Sequence, residues 1–232
     1  MIKLTGKWAL VTGATRGIGQ QIALCLAQYG CNLIIHGRKE ENAEKTLAML
    51  EPYDVEKKVI AGELNSEEGT QSLIDGVLEQ VGYVDILYNN AGIQNEWKEV
   101  WNLTVAEWKE LFQINLFSVV QINNVFIPIM VKRGWGRVII TTSGIEDIPQ
   151  MAPYSVSKAG IDKYCRDLAA ELKDTDVKIF ALDPGWLRTD LGGPEAEHDV
   201  ETVIPGALAP LLLDGEIPSG ASYHAHDYRE VL

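Results

Sequence analysis

The 232-residue chain predicts a single-domain α/β fold, a doubly wound parallel sheet with helices on both faces. Three observations carry that expectation. Short apolar runs without polar alternation, as in strands buried on both faces, alternate with longer segments of helical period. A glycine-rich turn separates the first such strand from the first helix. No linker, low-complexity stretch or short-period repeat interrupts the alternation.

The first strand is Trp8-Ala9-Leu10-Val11, ending at Thr12. Gly13-Ala14-Thr15-Arg16-Gly17-Ile18-Gly19 then opens a helix to about Tyr29, with Ile22, Ala23, Leu26 and Ala27 inward. Strand, glycine turn and helix in that order cradle a dinucleotide pyrophosphate. Glycines let backbone N–H groups close on the phosphates, and the helix N-terminus supplies favourable potential. A plain glycine-rich loop is the alternative; the flanking strand and helix argue against it.

The second strand, Asn32-Leu33-Ile34-Ile35-His36, is followed by Gly37 and Arg38. An NAD site places an acidic residue near this point for the ribose 2′-hydroxyl, whereas a 2′-phosphate suits arginine. Arg38, with Arg16 as a second cation, therefore predicts NADP(H) in preference to NAD(H). Screening over about 8 Å leaves local arginines in control of that choice despite the chain's acidity. The competing reading has Arg38 merely starting the next helix in solvent.

A helix over 40–50 and a strand over 58–61 lead into Glu63-Leu64-Asn65. Ser66 then caps a helix to about Val81, with Leu73, Ile74, Val77 and Leu78 inward. Strand Val84-Asp85-Ile86-Leu87-Tyr88 stops at Asn89-Asn90-Ala91-Gly92. Small and amide residues there suit the crevice at the carboxyl ends of a doubly wound sheet, although Asn90 also fits a simple turn. The longest helical pattern covers 104–132 and holds Asn115 in an apolar face, either as a clasp or in a polar network, with Pro128 bending its end. Strand Arg137-Val138-Ile139-Ile140 delivers Thr141, Thr142 and Ser143 to the same edge, where a hydroxyl can steady a substrate oxygen.

Tyr154 and Lys158 stand four residues apart, one turn apart on one face of the helix predicted over 154–172. A free tyrosine titrates near ~10 and a lysine near ~10.4. The ammonium is expected to stabilise the phenolate and lower its pKa. Ionising the phenol at pH 7 takes a shift of about three units, roughly 4 kcal/mol. Giving a proton to a nascent alkoxide takes much less, because the neutral phenol is the competent form. A half-buried ring beside a solvated amine is the bland alternative.

A sixth strand over 177–182 leads to Asp183-Pro184-Gly185. Residues 186–198, rich in Gly, Pro and acids, read as a loop that moves over a ligand. A helical pattern over 200–213 and a strand at Ser222-Tyr223-His224 close the chain.

Composition bounds the partners. The 20 basic and 33 acidic residues leave a net charge of −13, which argues against nucleic acid and membrane and for solubility. No apolar run reaches the ~18 residues of a membrane span. The stretch from Met1 to Gly6 shows no apolar targeting region or cleavage site. Cys25, Cys31 and Cys165 lack metal-ligand spacing and read as reduced, buried thiols of a cytoplasmic protein. His224 and His226 read as a strand end, not a metal site.

In order and spacing these residues resemble the classical short-chain dehydrogenases/reductases from end to end. The resemblance rests on Thr12-Gly13 with Gly17 and Gly19, the run from Asn89 to Gly92, Asn115, Ser143, Tyr154 with Lys158, and Pro184-Gly185 with Thr189. It implies a Rossmann sheet and an oxidoreductase moving a hydride between NADP(H) and a small ketone, aldehyde or corresponding alcohol. By implication Tyr154 is the proton donor and acceptor, and Ser143 orients the carbonyl oxygen. Lys158 binds the nicotinamide ribose and acidifies Tyr154, and Asn115 holds a water linking Lys158 to solvent. Gly13, Thr15, Arg16, Gly17, Ile18 and Gly19 line the phosphates, Leu64 the adenine, and Asn90, Ala91 and Gly92 the adenosine ribose side. Pro184, Gly185, Leu187 and Thr189 flank the carboxamide.

The connection from Ser143 to Tyr154 is shorter than in most members, and Glu63-Leu64 replaces the usual Asp-Val-like pair. The stretch from Pro184 to Pro194 is closer to NADPH-dependent carbonyl reductases than to acyl-carrier-protein reductases. Family geometry builds the pocket from Ile93, Gln94, Trp97, Ile145, Gln150, Met151, Trp186 and Leu191, with Glu146 facing water, which favours an uncharged carbonyl. A homotetramer or dimer paired through the 104–132 and 154–172 helices is also implied. Two alternatives stay open: a 3-oxoacyl thioester reductase and a non-catalytic NADP(H)-sensing module.

Overall fold

The computed structural model describes residues 3–213 and 215–230; Met1 and Ile2, weighed above as the start of the chain, lie outside the described residues. Seven parallel strands form one sheet. They are β1 (Trp8–Val11), β2 (Asn32–Gly37), β3 (Lys57–Ala61), β4 (Ile86–Asn89), β5 (Gly136–Thr141), β6 (Val177–Asp183) and, late in the chain, Ser222–His224. A two-stranded pair, β7 (Leu187–Arg188) and β8 (His198–Asp199), precedes that last strand, which is therefore β9. The order β3-β2-β1-β4-β5-β6-β9 reverses direction of growth between β1 and β4. That switch point opens a crevice at the carboxyl ends of the strands.

Each central strand is apolar throughout because both its faces are covered. Ala9, Val11, Leu33, Ile35, Ile86 and Tyr88 point into one core, shared with α1 (Gly17–Gln28), α2 (Glu44–Leu50) and the C-terminal α7 (Ala209–Leu212). Trp8, Leu10, Ile34 and Leu87 point into the other, against α3 (Glu67–Gln80), α5 (Ser118–Arg133) and α6 (Ala152–Glu171). The period-two alternation of the strands thus feeds two cores from one sheet.

Helix starts follow local chemistry. The Ser66 hydroxyl accepts from the Gly69 N–H at 3.0 Å and starts α3. Thr104 and Glu107 form a reciprocal capping box that starts α4 (Val105–Phe112). Gly134, at φ +79°, ends α5 in the left-handed conformation that glycine adopts without a Cβ clash. Three expected helices are broken up. The 40–50 segment opens with a 3₁₀ turn before α2. The 200–213 segment is two 3₁₀ turns and one α turn. Between α4 and α5 lies a π-helical stretch, Gln113–Phe117, with Asn115 at its centre.

Contrary to the expectation that no run reaches membrane length, the continuous helix Val105–Arg133 is long and apolar enough by composition, with a mean hydropathy of 1.6 over its most apolar window. Its apolarity is that of a core helix: Val119, Ile122, Phe126, Ile127 and Met130 are buried with the sheet in the second core.

Candidate active site

The glycine turn after β1 is shaped for close approach. Gly13 and Gly17 sit at φ +66° and +57°, where other residues are strained. A Cβ on Gly13 would come within 3.1 Å of Ala91 Cα, and one on Gly19 would strike the Gly13 carbonyl. Arg16, the N-cap of α1, provides no side-chain cap, and the first turn carries no acid. Backbone donors at the positive end of α1 therefore remain available to an anion, so the cradle fits a dinucleotide pyrophosphate.

A buried histidine braces this turn. The Gly13 N–H donates to His36 Nδ1 at 3.2 Å, and His36 Nε2 lies 2.9 Å from the Gly62 carbonyl. With Nδ1 accepting, Nε2 carries the proton, a tautomer fixed by the two partners. Burial pushes the His36 pKa down to about 4, so the ring is neutral near pH 7.

One chain of hydrogen bonds runs from this turn across the sheet to Lys158. Asn90 Nδ2 donates to the Thr12 carbonyl at 3.0 Å, and Thr141 Oγ1 donates to Asn90 Oδ1 at 3.4 Å. Lys158 Nζ then donates to the Thr141 carbonyl at 2.7 Å. Thr12 Oγ1 also accepts the N–H groups of Asn90 and Ala91, at 2.9 and 3.0 Å. The ends of β1, β4 and β5 are thereby held in register with α6.

Tyr154 lies half-buried in the first turn of α6, close enough to Ser143 for that residue to hold down its pKa. Lys158 is buried, 5.7 Å from the centroid of the Tyr154 ring. The electrostatics correct the sequence expectation. Burial raises the Tyr154 pKa above its ordinary value, Ser143 opposes the rise and Asp183 adds to it. Burial lowers Lys158 to about 8, against the attraction of Asp162. The shift of the phenol is set by burial, Ser143 and Asp183, while the Lys158 ammonium donates to the Thr141 carbonyl at 2.7 Å.

Asn115 is a clasp. Its Oδ1 accepts the Ile93 N–H at 2.9 Å, and its Nδ2 donates to the Ile93 carbonyl at 2.8 Å and to Ser157 Oγ at 3.1 Å. A Cβ on Gly92 would come 3.3 Å from Asn115 Oδ1 and 3.6 Å from Lys158 Nζ. Gly92, Asn115 and Lys158 therefore converge.

The segment after Trp186, expected as a loop that moves over a ligand, is tied at several points. β7 pairs with β8, and Arg188 bonds Asp199 at 2.7 Å and the Ala196 carbonyl at 2.7 Å. Asp190 pairs with Arg16 at 3.0 Å across two exposed side chains. Thr189 Oγ1 accepts the Gly192 N–H at 3.0 Å, and the Thr189 methyl lies 3.5 Å from where a Gly17 Cβ would stand. Thr189 is thus brought to the phosphate turn, with Leu187 buried behind it.

Two contacts link the segments that carry the expected pocket residues. Gln94 Nε2 donates to the Leu191 carbonyl at 2.9 Å, and Asn95 Nδ2 to the Gln150 carbonyl at 2.8 Å. Trp97 and Trp186 are exposed, at 68% and 56%, while Met151 is buried. Arg38 lies exposed just past β2, Glu146 faces water, and Leu64 is buried in the second core. Pro184 and Gly185 follow β6, with the Gly185 N–H donating to Asp183 Oδ1 at 2.9 Å. His224 ends β9, and His226 stacks edge-on against His198 at 4.3 Å. Cys25, Cys31 and Cys165 are free and buried, each pushed up to about 12 by burial.

His36, Thr12 as a clamp and Asp183 were not singled out from sequence, and Thr141 was read for its hydroxyl and not for the carbonyl that takes Lys158. For His36 and Asp183 the available signal was a polar side chain inside or ending a run buried on both faces, which requires a partner.

The family model for short chain dehydrogenase matches residues 7–199. The 3-oxoacyl-[acyl-carrier-protein] reductase FabG of Aquifex aeolicus is 34% identical over 193 residues, 82% of this chain and 77% of that protein. Dehydrogenase/reductase SDR family member 4 of Sus scrofa is 31% identical over 189 residues, 81% of this chain and 68% of that protein. Among solved structures, a metagenomic short-chain oxidoreductase in complex with NADP superposes with a TM-score of 0.82 at 26% identity, covering 96% of this chain and 98% of the other.

Proposed function

The chain belongs to the short-chain dehydrogenase family and is an oxidoreductase by that membership; on that premise we propose that it interconverts a small ketone or aldehyde and the corresponding alcohol with NADP(H). One observation carries the reading: Lys158 is buried beside the Tyr154 ring, 5.7 Å from its centroid, and is joined through Thr141 and Asn90 to the end of β1 where the glycine turn begins.

NADP(H), when bound, supplies or accepts the hydride. The turn from Gly13 to Gly19 and the start of α1 hold its phosphates, Arg16 and Arg38 its 2′-phosphate, and Leu64 its adenine. Asn90, Ala91 and Gly92 take the ribose side, Lys158 and Tyr154 the nicotinamide ribose, and Pro184, Gly185, Leu187 and Thr189 the carboxamide. Ser143 orients the substrate oxygen. Tyr154, kept protonated at neutral pH by its surroundings, donates its phenolic proton as the carbonyl becomes an alcohol. Asn115 keeps the backbone at Ile93 beside Lys158. Two arginines near the 2′-phosphate position, and the NADP named for the metagenomic relative, support the cofactor choice.

A second reading, reduction of a 3-oxoacyl thioester, is favoured by the Aquifex relative. The net charge of −13 works against docking an acidic carrier. Loss of NADPH absorbance with a panel of ketones, aldehydes and acetoacetyl thioesters separates the two. Silence across the panel despite tight NADPH binding contradicts both.

We read the whole chain as one dinucleotide-binding unit, with residues 186–200 as its substrate segment. Exposed Val105, Phe117 and Val156, at 69%, 51% and 48%, support pairing of copies through the 104–132 and 154–172 helices. Light scattering that finds a monomer at micromolar concentration contradicts the pairing.

A further inference from the structure

Arg16 stands between two segments of the cleft, and its guanidinium is given to one of them. On one side, Thr15 packs so closely on Gly37 that a Cβ there would be 2.5 Å from the Thr15 methyl, which puts the phosphate turn beside Gly37 and its neighbour Arg38. On the other, Arg16 Nη1 lies 3.0 Å from Asp190 Oδ2, just past β7. Among the described residues this is the ion pair that Arg16 makes, and the first turn of α1 offers it no acid.

Asp190 is presented to Arg16 by a built turn. Thr189 Oγ1 accepts the Gly192 N–H at 3.0 Å, and the Thr189 carbonyl accepts the Gly193 N–H at 2.8 Å. The Trp186 indole N–H closes on the Gly192 carbonyl at 2.9 Å, and a Cβ on Gly192 would strike the Leu187 carbonyl. Gln94 ties the turn to the segment after β4 through the Leu191 carbonyl at 2.9 Å, and the Thr189 methyl rests by Gly17. Backbone bonds thus place the carboxylate, which reduces the side-chain ordering that offsets much of the Coulomb gain in a free surface pair.

We propose that Asp190 is a specificity-determining residue for the cofactor: its carboxylate holds the Arg16 guanidinium at the turn after β7, and the 2′-phosphate of NADP(H) has to take that guanidinium from it. The inference rests on the NADP(H) reading, in which Arg16 and Arg38 share the 2′-phosphate. NADH carries a 2′-hydroxyl in its place and makes no demand on Arg16. Asp190 therefore lowers the advantage of NADPH over NADH. Both side chains of the pair are exposed, at 68% and 73%, so the exchange costs little and salt screens the tie.

The test is the binding of NADPH and of NADH, which differ only in the 2′-phosphate, to the full chain, followed by nicotinamide fluorescence. Asp190→Asn is expected to bind NADPH about two- to fivefold more tightly, the span of a surface ion pair, and NADH as before. The gain shrinks at ~0.5 M salt. It vanishes when Arg16→Gln is already present, because no guanidinium is then left to release. A gain that persists in that background comes from the field of the carboxylate alone and overturns the proposal. Unchanged or weaker NADPH binding in Asp190→Asn, or an equal gain for NADH, overturns it as well. If Asp190→Asn does not fold, Asp190→Ser removes the same charge and must show the same gain. The cofactor reading is checked on the unaltered protein: NADPH bound no more tightly than NADH, and indifferent to Arg16→Gln, refutes that reading itself. A preference for NADPH that Asp190→Asn leaves unmoved refutes only the role of Asp190.

Discussion

Lys158 holds its ammonium 5.7 Å from the centroid of the Tyr154 ring, one helical turn away, and donates instead to the Thr141 carbonyl at 2.7 Å. The pair is therefore a neutral phenol beside a cation already engaged with the sheet. Burial brings Lys158 down to about 8 and raises Tyr154. Lys158→Met removes the bond to Thr141 and leaves a buried carbonyl without its donor, at a cost of about 1–3 kcal/mol. The expected outcome is a weaker melt together with a higher KM for NADPH. A variant with wild-type melting and cofactor binding contradicts the role given to this bond.

Thr12 is the next test, because one hydroxyl takes two N–H groups. Thr12→Val keeps the shape, strands the amide of Ala91, whose bond to Oγ1 is 3.0 Å, and takes from the Asn90 N–H one of its two acceptors, leaving it the Tyr88 carbonyl at 3.0 Å. Each buried donor left unpaired costs about 1–3 kcal/mol. Urea unfolding should show a loss in that range, and NADPH should bind more weakly. An unchanged midpoint shows that the loop after β4 is held by other means.

His36 predicts an acid sensitivity of stability. Its folded pKa, about 4, lies below the unfolded histidine value. Between the two, the unfolded chain binds the extra proton, so stability falls as pH falls from the unfolded pKa toward the folded one. A depression of this size corresponds to about 3 kcal/mol. His36→Asn, which can still accept from Gly13, removes that dependence. The stability difference between the original protein and the variant should shrink in favour of the variant from pH 7 to pH 4; parallel unfolding curves at both pH values contradict the assignment.

Cofactor choice is tested at Arg38, which is exposed just past β2 with no acid on the strand end. Arg38→Asp replaces a phosphate partner by one suited to a 2′-hydroxyl. The ratio of kcat/KM for NADPH to that for NADH should fall at least about tenfold, the loss of one charge-assisted contact. An unchanged ratio removes Arg38 from the role and leaves Arg16, which is paired with Asp190 at 3.0 Å.

What was legible in the sequence was what depends on local period and spacing. Strands buried on both faces read as unbroken apolar runs, and Ser66 announced α3 through its cap. The positions of Gly13, Gly17 and Gly19, Ser143, Tyr154 and Lys158 were also in plain view. What was hidden depends on contacts far apart in the chain. Thr141 and Lys158 meet only because β5 and α6 pack together, so the lysine's true partner could not be read from its neighbour four residues away. Asn115 left two readings open until Ile93 was seen to meet it across 22 positions. The segment after Trp186 looked free by composition, and its pairing of Leu187 with His198 has no local signature.

The measurement that bears most directly on the account is single-turnover oxidation of NADPH by Tyr154→Phe, alongside NADPH binding by fluorescence. Phenylalanine keeps the ring and removes only the phenolic hydroxyl. The account predicts NADPH affinity within a few-fold of the original and reduction slowed at least ~1,000-fold, within the range for loss of a general acid. Reduction at the original rate, with binding intact, contradicts it.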